Sequence, residues 1–147
     1  MKLSTKGRYG VRLMMELAAH YGEGLVLLRQ IAERQEISEK YLWHLINPLK
    51  SAGLIHATRG AHGGYVLAKP PAKISVGDIL LALEGPLCLV DCVEKASICR
   101  RSSSCITRDL WGEASKVLME RFNSTSLADM VERQKLKAAK QATDYAI

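Results

Sequence analysis

The spacing of apolar residues predicts three helices in the first half of the chain. The first begins after the candidate cap Ser4 and ends before Gly22. The second covers residues 27–35, and the third begins at Ser38. Only the short turn 36–38 separates the second helix from the third, so these two helices have the arrangement of a helix-turn-helix.

A glycine-rich loop after the third helix predicts a β-hairpin. The loop, Arg59-Gly60-Ala61-His62-Gly63-Gly64, lies between extended runs at 54–58 and 65–67, and two prolines close the second run. A helix does not open directly after the loop, as it would in a nucleotide phosphate-binding loop; the next one is predicted at 76–83. The pattern therefore predicts a winged helix-turn-helix over residues 1–85, with the hairpin as its wing.

The second half contains a cysteine segment, residues 86–106, and a region with two further helices, residues 107–140. The first of these helices is long and carries an apolar stripe, which consists of Leu110, Ala114, Val117, Leu118 and Phe122. Residues 141–147 show no pattern and are predicted to form a disordered tail. The predicted fold is mostly α-helical with a small β-hairpin.

The positive charge of the chain lies in its first half. The net charge is +6, and residues 1–75 supply all of it, with 11 Lys and Arg against 5 Asp and Glu, while residues 76–147 hold 10 of each. Such asymmetry favours a polyanion-binding half, although a basic face is often only a solvated surface.

The start of the sequence and its apolar runs indicate where the protein resides in the cell. The basic start of the chain has no apolar stretch of the kind found in signal peptides, and no apolar run approaches the roughly 18 residues that a membrane span needs. We therefore expect a cytoplasmic protein with no membrane partner, in a compartment where disulfides are uncommon.

A winged helix-turn-helix on the basic half predicts binding to double-stranded DNA. The third helix would read base edges in the major groove, and Arg59 of the wing would enter the narrow minor groove. His44 could instead be only solvated, and Trp43 could pack against the wing or a partner chain. The candidate DNA-contacting residues are Thr5, Lys6, Arg8, Ser38, Lys40, Tyr41, Trp43, His44, Asn47, Lys50, Arg59, Gly60, His62 and Gly63.

All four cysteines lie within 18 residues, at Cys88, Cys92, Cys99 and Cys105. Their spacing lacks the paired Cys-x2-Cys knuckles of structural zinc and does not match the ferredoxin spacings. A helix N-terminus and two nearby arginines favour the thiolate at Cys105. The residues leave four readings open: an iron–sulfur cluster, zinc, a redox thiol or a structural role.

Taken together, these segments resemble the IscR-type iron–sulfur cluster regulators, a family of bacterial winged helix-turn-helix transcription factors. The resemblance extends to about residue 134 and rests on KLSTKGRYGVRLMMELA, ISEKYLWHLINPLKSAGLI, the wing TRGAHGGYVLAKP, and three late cysteines followed by ITRDLW. It implies a homodimer joined by the long helix. It also implies an iron–sulfur cluster, of the 2Fe–2S type, with Cys92, Cys99 and Cys105 as metal ligands.

The fourth ligand departs from the pattern of the family. IscR-type proteins have a histidine three residues after the last cysteine, where this chain has Arg108. Relatives that sense nitric oxide or redox state use an acidic residue, sometimes with a histidine, on the first helix of the partner subunit, whereas the matching positions here are Arg8 and Arg12. The remaining candidates are Cys88, which ranks first because a thiolate suits iron, then Asp109, and Glu16 or His20 from a partner subunit.

The function implied is a homodimeric transcriptional regulator, mainly a repressor, whose operator binding is controlled by the cluster. Its targets would be genes of iron–sulfur biogenesis, iron homeostasis or oxidative stress. Alternatives are a cluster-free repressor of cysteine metabolism and a nitric-oxide-sensing relative, and, in a different class, a small electron-transfer or zinc-adaptor protein. No acid/base pair or activated nucleophile suggests an enzyme, and no small-molecule substrate is evident.

Overall fold

A computed structural model describes residues 2–146 of the chain. It contains seven α-helices, one two-stranded sheet and two short 3-10 turns among those residues. The elements in chain order are α1 (Thr5–Ala19), α2 (Leu28–Gln35), α3 (Glu39–Ser51), β1 (Ile55–Thr58), β2 (Gly64–Leu67), a 3-10 turn (Pro71–Lys73), α4 (Val76–Glu84), α5 (Asp91–Glu94), a 3-10 turn (Ala96–Ile98), α6 (Ile106–Asn123) and α7 (Leu127–Tyr145).

The helix-turn-helix forms as the sequence predicts. Ser38 caps α3 by accepting a hydrogen bond from the amide of Tyr41 at 3.1 Å, and Glu36 ends α2 in the left-handed conformation, at φ 53°. The inward faces of the three helices supply one apolar core, with side chains no more than 2% exposed. These are Leu13, Met14, Leu17, Ile31, Leu42, Leu45, Ile46 and Leu49.

The wing is an antiparallel hairpin that is hydrogen-bonded to the segment immediately before α2. β1 pairs with β2 from Ile55 opposite Leu67 to Thr58 opposite Gly64. Val26 and Tyr65 exchange both backbone hydrogen bonds at 2.9 Å, which adds a third extended segment beside β2. This pairing fixes the wing relative to the helix-turn-helix. It could not be predicted from the sequence, because a single bridging residue carries no periodicity.

The second half packs back onto the first. Backbone bonds at 2.9 Å run from Val76 to Thr125 and from Leu127 to Ile74, so the starts of α4 and α7 lie side by side. Ser75 and Ser126 each form a reciprocal capping box with the acidic residue three positions later. Leu127 is fully buried, and α7 continues from it along α1. The two halves therefore share one core.

Two segments differ from the sequence prediction. The cysteine segment, predicted as a loop, contains α5 and a 3-10 turn. The predicted disordered tail is helical as far as Tyr145, because the good helix formers of 135–142 extend α7 without a breaking residue; Ile147 lies outside the described residues. Among residues 2–146, no helix is both long enough and apolar enough to cross a membrane.

Gly64 permits the close approach of the wing to the chain before α2. An added Cβ would lie 2.8 Å from the backbone oxygen of Val26, and a backbone atom cannot move aside as a flexible side chain can. We expect Gly64→Ala to lower the free energy of unfolding by about 1–3 kcal/mol. Urea denaturation followed by circular dichroism measures this change.

Gly112 in α6 provides the matched control. A Cβ there would meet nothing closer than Val93 at 3.9 Å, so Gly112→Ala should stabilise the protein by up to about 1 kcal/mol through helix propensity. Equal effects of the two substitutions would contradict the assigned role of Gly64.

Candidate nucleic-acid interface and cysteine segment

The outward face of α3 is polar and open. Its side chains at Lys40, His44, Asn47 and Lys50 are exposed, while the opposite face is buried in the core. Trp43 on the same outward face is 53% exposed, so about half of its side chain is open to solvent. The helix therefore presents donors, acceptors and an aromatic ring to solvent on one side, which is what readout of a DNA groove requires.

The beginning of α1 lies next to this helix. The rings of Tyr9 and Tyr41 meet edge to face, with centroids 5.6 Å apart. Tyr41, a candidate DNA contact, is thus half-buried and positions the two helices. Arg8 donates to the hydroxyl of Thr5 at 3.2 Å, and Lys6 is exposed beside them. The basic start of α1 and the reader helix therefore form one surface.

The tip of the wing is exposed at Arg59, Gly60 and His62. Gly60 has φ 105°, a left-handed conformation that favours glycine. An added Cβ at Gly63 would strike the backbone oxygens of Thr58 and Gly60, so this glycine is needed to close the turn. The backbone of the turn therefore favours glycine at positions 60 and 63, whether or not the wing binds DNA.

A buried carboxylate connects α1 to the end of α2. Glu16 is 9% exposed and accepts hydrogen bonds from Arg34 and Gln35, each at 2.8 Å. Burial raises the pKa of Glu16, but the bonds from Arg34 and Gln35 and the positive charge of Arg34 hold it below its ordinary value. The imidazole of His20 completes the group. Its Nε2 lies 3.3 Å from a carboxylate oxygen of Glu16, and its Nδ1 lies 2.8 Å from a carboxylate oxygen of Glu23.

Two candidates for the fourth cluster ligand belong to this network. Glu16 and His20 were candidates as residues donated by a partner subunit, and here both are engaged within their own chain. The sequence did carry a signal for the network, since Glu16 stands among the inward residues Met14 and Leu17 of α1. A charged residue in that position needs a buried partner.

The cysteines lie along one segment, at successive element boundaries. Cys92 is in α5, Cys99 follows the second 3-10 turn, and Cys105 is the N-cap of α6. All four thiols are free. Within residues 2–146, no three side chains of His, Cys, Asp or Glu converge so that they could hold one metal ion.

The surroundings of Cys88 and Cys105 shift the pKa of their thiols in opposite directions. Hydrogen bonds from the hydroxyl of Thr107 and the amide of Arg108 lower the pKa of Cys105, and the positive charge of Arg101 adds to this. Cys88 is exposed, yet desolvation by the atoms around its thiol raises its pKa, as do the negative charges of Glu94 and Asp91. Cys105 is therefore suited to act as a thiolate and Cys88 is not.

Two side chains of α6 hold the cysteine segment in place. Arg108 donates from Nε to the carbonyl oxygen of Cys92 at 2.7 Å. Ser115 is buried and accepts from the amide of Leu89 at 3.0 Å, while its hydroxyl donates to the carbonyl of Trp111. Arg108 stands at the position where IscR-type proteins have a histidine ligand, and here its side chain ties the cysteine segment to α6.

The apolar stripe of α6 divides into two faces. Leu118 and Phe122 line a hollow of about 180 Å³ with Leu87 and Leu89 of their own chain. The other face is open: Ile106 is 78%, Leu110 54% and Val117 66% exposed. The second face is the more exposed of the two, since Leu118 and Phe122 are half-buried.

Comparison with known proteins assigns the family. The Rrf2 family, described as iron-dependent transcriptional regulators, matches residues 3–133 of the chain. The chain belongs to the Rrf2 family.

Relatives within the Rrf2 family are similar over most of their length. Protein rrf2 of Nitratidesulfovibrio vulgaris is 46% identical over 131 residues, covering 89% of this chain and 87% of that protein. The HTH-type transcriptional regulator CymR of Bacillus subtilis is 43% identical, covering 88% and 89%. IscR of Serratia proteamaculans is 37% identical, covering 91% and 81%.

Solved structures agree with this Rrf2-type fold. The structure of CymR, the global cysteine regulator of B. subtilis, superimposes with a TM-score of 0.76 at 41% identity, covering 90% of this chain and 98% of that one. IscR of T. potens gives 0.74 at 44% identity, covering 97% and 90%. These likenesses confirm the winged helix fold, and the names of the relatives confirm the prediction of a transcriptional regulator and not an enzyme.

The opposite thiol environments predict selective alkylation of the metal-free, reduced protein. At neutral pH a lowered pKa leaves more thiolate at Cys105 than at Cys88, so iodoacetamide should modify Cys105 first. The difference should shrink as the pH rises above the ordinary thiol pKa, because both thiols are then ionised. Timed alkylation followed by peptide mass spectrometry measures both rates.

Thr107→Val is the control for this prediction. It removes the hydroxyl that lies 3.2 Å from the sulfur of Cys105, so it should slow the alkylation of Cys105 at neutral pH and leave the rate at high pH unchanged. Alkylation of Cys88 as fast as that of Cys105 at neutral pH would contradict the account.

Proposed function

We propose that this Rrf2-family protein is a homodimeric regulator, mainly a repressor, that binds duplex DNA through α3 and the wing. The observation that carries the proposal is the open polar face of α3 on the half of the chain that holds all of the excess positive charge. A polyanion is attracted to such a surface, and the wing beside it extends the contact along the duplex.

The proposed contacts fall into two kinds. Flexible cations near the start of α1 and the end of α3 contact phosphates, which gives affinity for any sequence. Side chains in the middle of α3 contact base edges, and the wing arginine enters the minor groove, which gives specificity. The phosphate contacts are Lys6, Arg8 and Lys50, the base contacts are His44 and Asn47, and the minor-groove contact is Arg59.

The dimer is proposed to form through the open face of α6. Ile106, Leu110 and Val117 lie on one side of this helix and are each more than half exposed. Apolar residues repeated at this spacing on an uncovered helix are typical of a helix–helix interface. Two subunits joined there would present two reader helices to one duplex.

Substitutions in α3 should separate the two kinds of contact. We expect Asn47→Ala to weaken binding to a selected operator by about 1–3 kcal/mol and to leave binding to a scrambled duplex unchanged. Lys50→Ala should weaken both and reduce the slope of log affinity against log salt by about one unit. Fluorescence anisotropy titrations at several salt concentrations measure these effects.

Lys135→Ala removes the same charge from α7 and serves as the matched control, with little change in either affinity. The assignment of reader residues fails if Asn47→Ala lowers the affinities for operator and scrambled duplex equally.

We further propose that an iron–sulfur cluster, of the 2Fe–2S type, controls this binding, with Cys92, Cys99 and Cys105 as ligands. The donor set suits such a cluster by its chemistry, since three thiols lie within 14 residues and the pKa of Cys105 is lowered. Because no three metal-ligating side chains converge within residues 2–146, binding of a cluster would have to draw the thiols together. A cluster bound there would make the segment sensitive to iron supply and oxidants. The genes controlled would be those of iron–sulfur biogenesis or of the response to iron and oxidative stress.

Asp109 is the best-placed fourth ligand in this proposal. It is exposed one helical turn after Cys105, and it lines the same hollow as Val93 of the cysteine segment. Cys88 is less suited, because its surroundings raise its pKa.

Anaerobic purification tests the cluster directly. The wild type should absorb visible light and contain iron and sulfide, and Cys→Ala changes at positions 92, 99 and 105 should abolish all three signals. Cys88→Ala, the matched cysteine control, should keep them. Retention of full iron and sulfide by the triple variant would exclude this ligand set.

A second candidate function is a cluster-free regulator of cysteine metabolism. Arg108 favours it, because a guanidinium takes the place of the histidine ligand and bonds to the carbonyl of Cys92. The similarity to CymR, at 43% identity, supports the same reading. A wild type purified without oxygen that binds DNA but contains neither iron nor sulfide would favour this candidate.

A further inference from the structure

A groove lies between α1 and α7, and no residue of α3 or of the cysteine segment 86–106 lines it. It has a volume of about 350 Å³, and the end of α2 closes one side of it. This volume is within the range of pockets that bind small molecules, roughly 300–1,000 Å³. Its walls are apolar, formed by Val11, Met15 and Met130, which are all half-buried. Methionine side chains adapt their shape to apolar ligands of different outline.

Three cations stand at the mouth of this groove. Arg133 and Lys137 are one turn apart on α7, on the same face as Met130, and Arg12 faces them from α1. No carboxylate in the described part of the chain forms an ion pair with any of the three. The groove therefore combines an apolar interior with positive charge at its edge, and of the three cations Arg133 interacts electrostatically with the carboxylate of Asp129, one turn before it on α7.

Arg12 is held in a fixed position. Its Nε donates to the side-chain oxygen of Gln35 at 3.1 Å, a second nitrogen donates to the carbonyl of the same residue, and the guanidinium lies 5.2 Å from the centre of the Tyr9 ring. A cation held in advance loses little conformational entropy when it binds an anion.

One carboxylate also lines the groove, and its charge is already compensated. Both oxygens of Glu16 accept hydrogen bonds, one from Arg34 and the other from Gln35. Arg34 is an additional cation outside the three at the mouth, so Glu16 and Arg34 cancel. The three cations at the mouth remain to attract a ligand, with the charge of Arg133 partly offset by Asp129.

We infer that this groove binds a small organic carboxylate with an apolar body. The carboxylate would pair with Arg133, Lys137 and Arg12, and the apolar part would displace water from the two methionines. Inorganic anions would not use the walls, and a neutral apolar molecule would not use the cations.

The groove is connected to the reader helix. Gln35, which holds Arg12 and Glu16, is the last residue of α2, and the turn 36–38 leads from it directly into α3. A ligand that contacts Arg12 therefore acts on the residue that ends α2. This coupling rests on the proposed function, whereas binding of the ligand does not.

Isothermal titration calorimetry of the full chain with octanoate tests the site without DNA. Octanoate should bind with simple saturation. Acetate lacks the apolar body and 1-octanol lacks the carboxylate, so each should bind about tenfold more weakly or worse. The double variant Arg133→Gln, Lys137→Gln should lose about tenfold or more in octanoate affinity.

The double variant Lys135→Gln, Lys140→Gln is the matched control, since it removes the same charge from α7 at positions that do not line the groove. It should bind octanoate as the wild type does. Equal losses in both double variants, or no saturation by octanoate below about 10 mM, would overturn the site.

A second readout distinguishes a ligand site from a subunit contact. If the Arg133 and Lys137 double variant changes the sedimentation coefficient and leaves octanoate binding unchanged, the groove is covered by another copy of the chain and the proposal fails. Anisotropy titration with duplex DNA then tests the coupling: octanoate should change the DNA affinity of the wild type and not that of this variant. Octanoate binding without such a change would refute the coupling and leave the site intact.

Discussion

The packing of α1 is the constraint on which the rest of the structure depends. This helix contacts α2, α3, β2, α4 and α7, so each layer of the fold is positioned against it. Gly7 and Gly10 bring it close to α4, against Leu80 and Leu83. Its one buried charge, Glu16, is tied to the end of α2, which fixes the angle between the first two helices of the DNA-binding unit.

Two surfaces with different chemistry meet on this helix. At its start, Tyr9 packs against Tyr41 and places basic side chains beside the reader helix. One turn later, Arg12 and Met15 face α7 and line the groove. Any change that shifts α1 would therefore alter both surfaces, which gives the fold a direct route from a bound molecule to the reader helix.

The sequence predicted the elements better than the way they meet. Periodicity placed all three helices of the DNA-binding unit, because their buried faces repeat regularly, and the glycine-rich loop placed the hairpin. The bridge between Val26 and Tyr65 depends on one residue in each segment and leaves no periodic signal. The division of the α6 stripe could not be predicted either, since Leu118 and Val117 are equally apolar and only the docked segment 87–89 covers the first.

The candidate sites show the same limit. Clustering identified the cysteines, and the helix N-terminus and arginines near Cys105 already predicted that its thiolate is favoured. The raised pKa of Cys88 was not predicted, because it depends on desolvation of the thiol and on how α5 places Glu94 and Asp91 near it. Arg108 was visible as a departure from the family pattern, and its bond to Cys92 gives that departure a structural role.

Hydroxyl-radical footprinting on a duplex selected from a random pool tests the central claim, that two subunits joined by α6 read one duplex, most directly. The wild type should protect two regions centred about one helical turn, or a multiple of it, apart. Val117→Asp, which places a charge on the open face of α6, should abolish the paired protection at the same protein concentration. A single protected region for the wild type, or an unchanged footprint for Val117→Asp, would contradict the account.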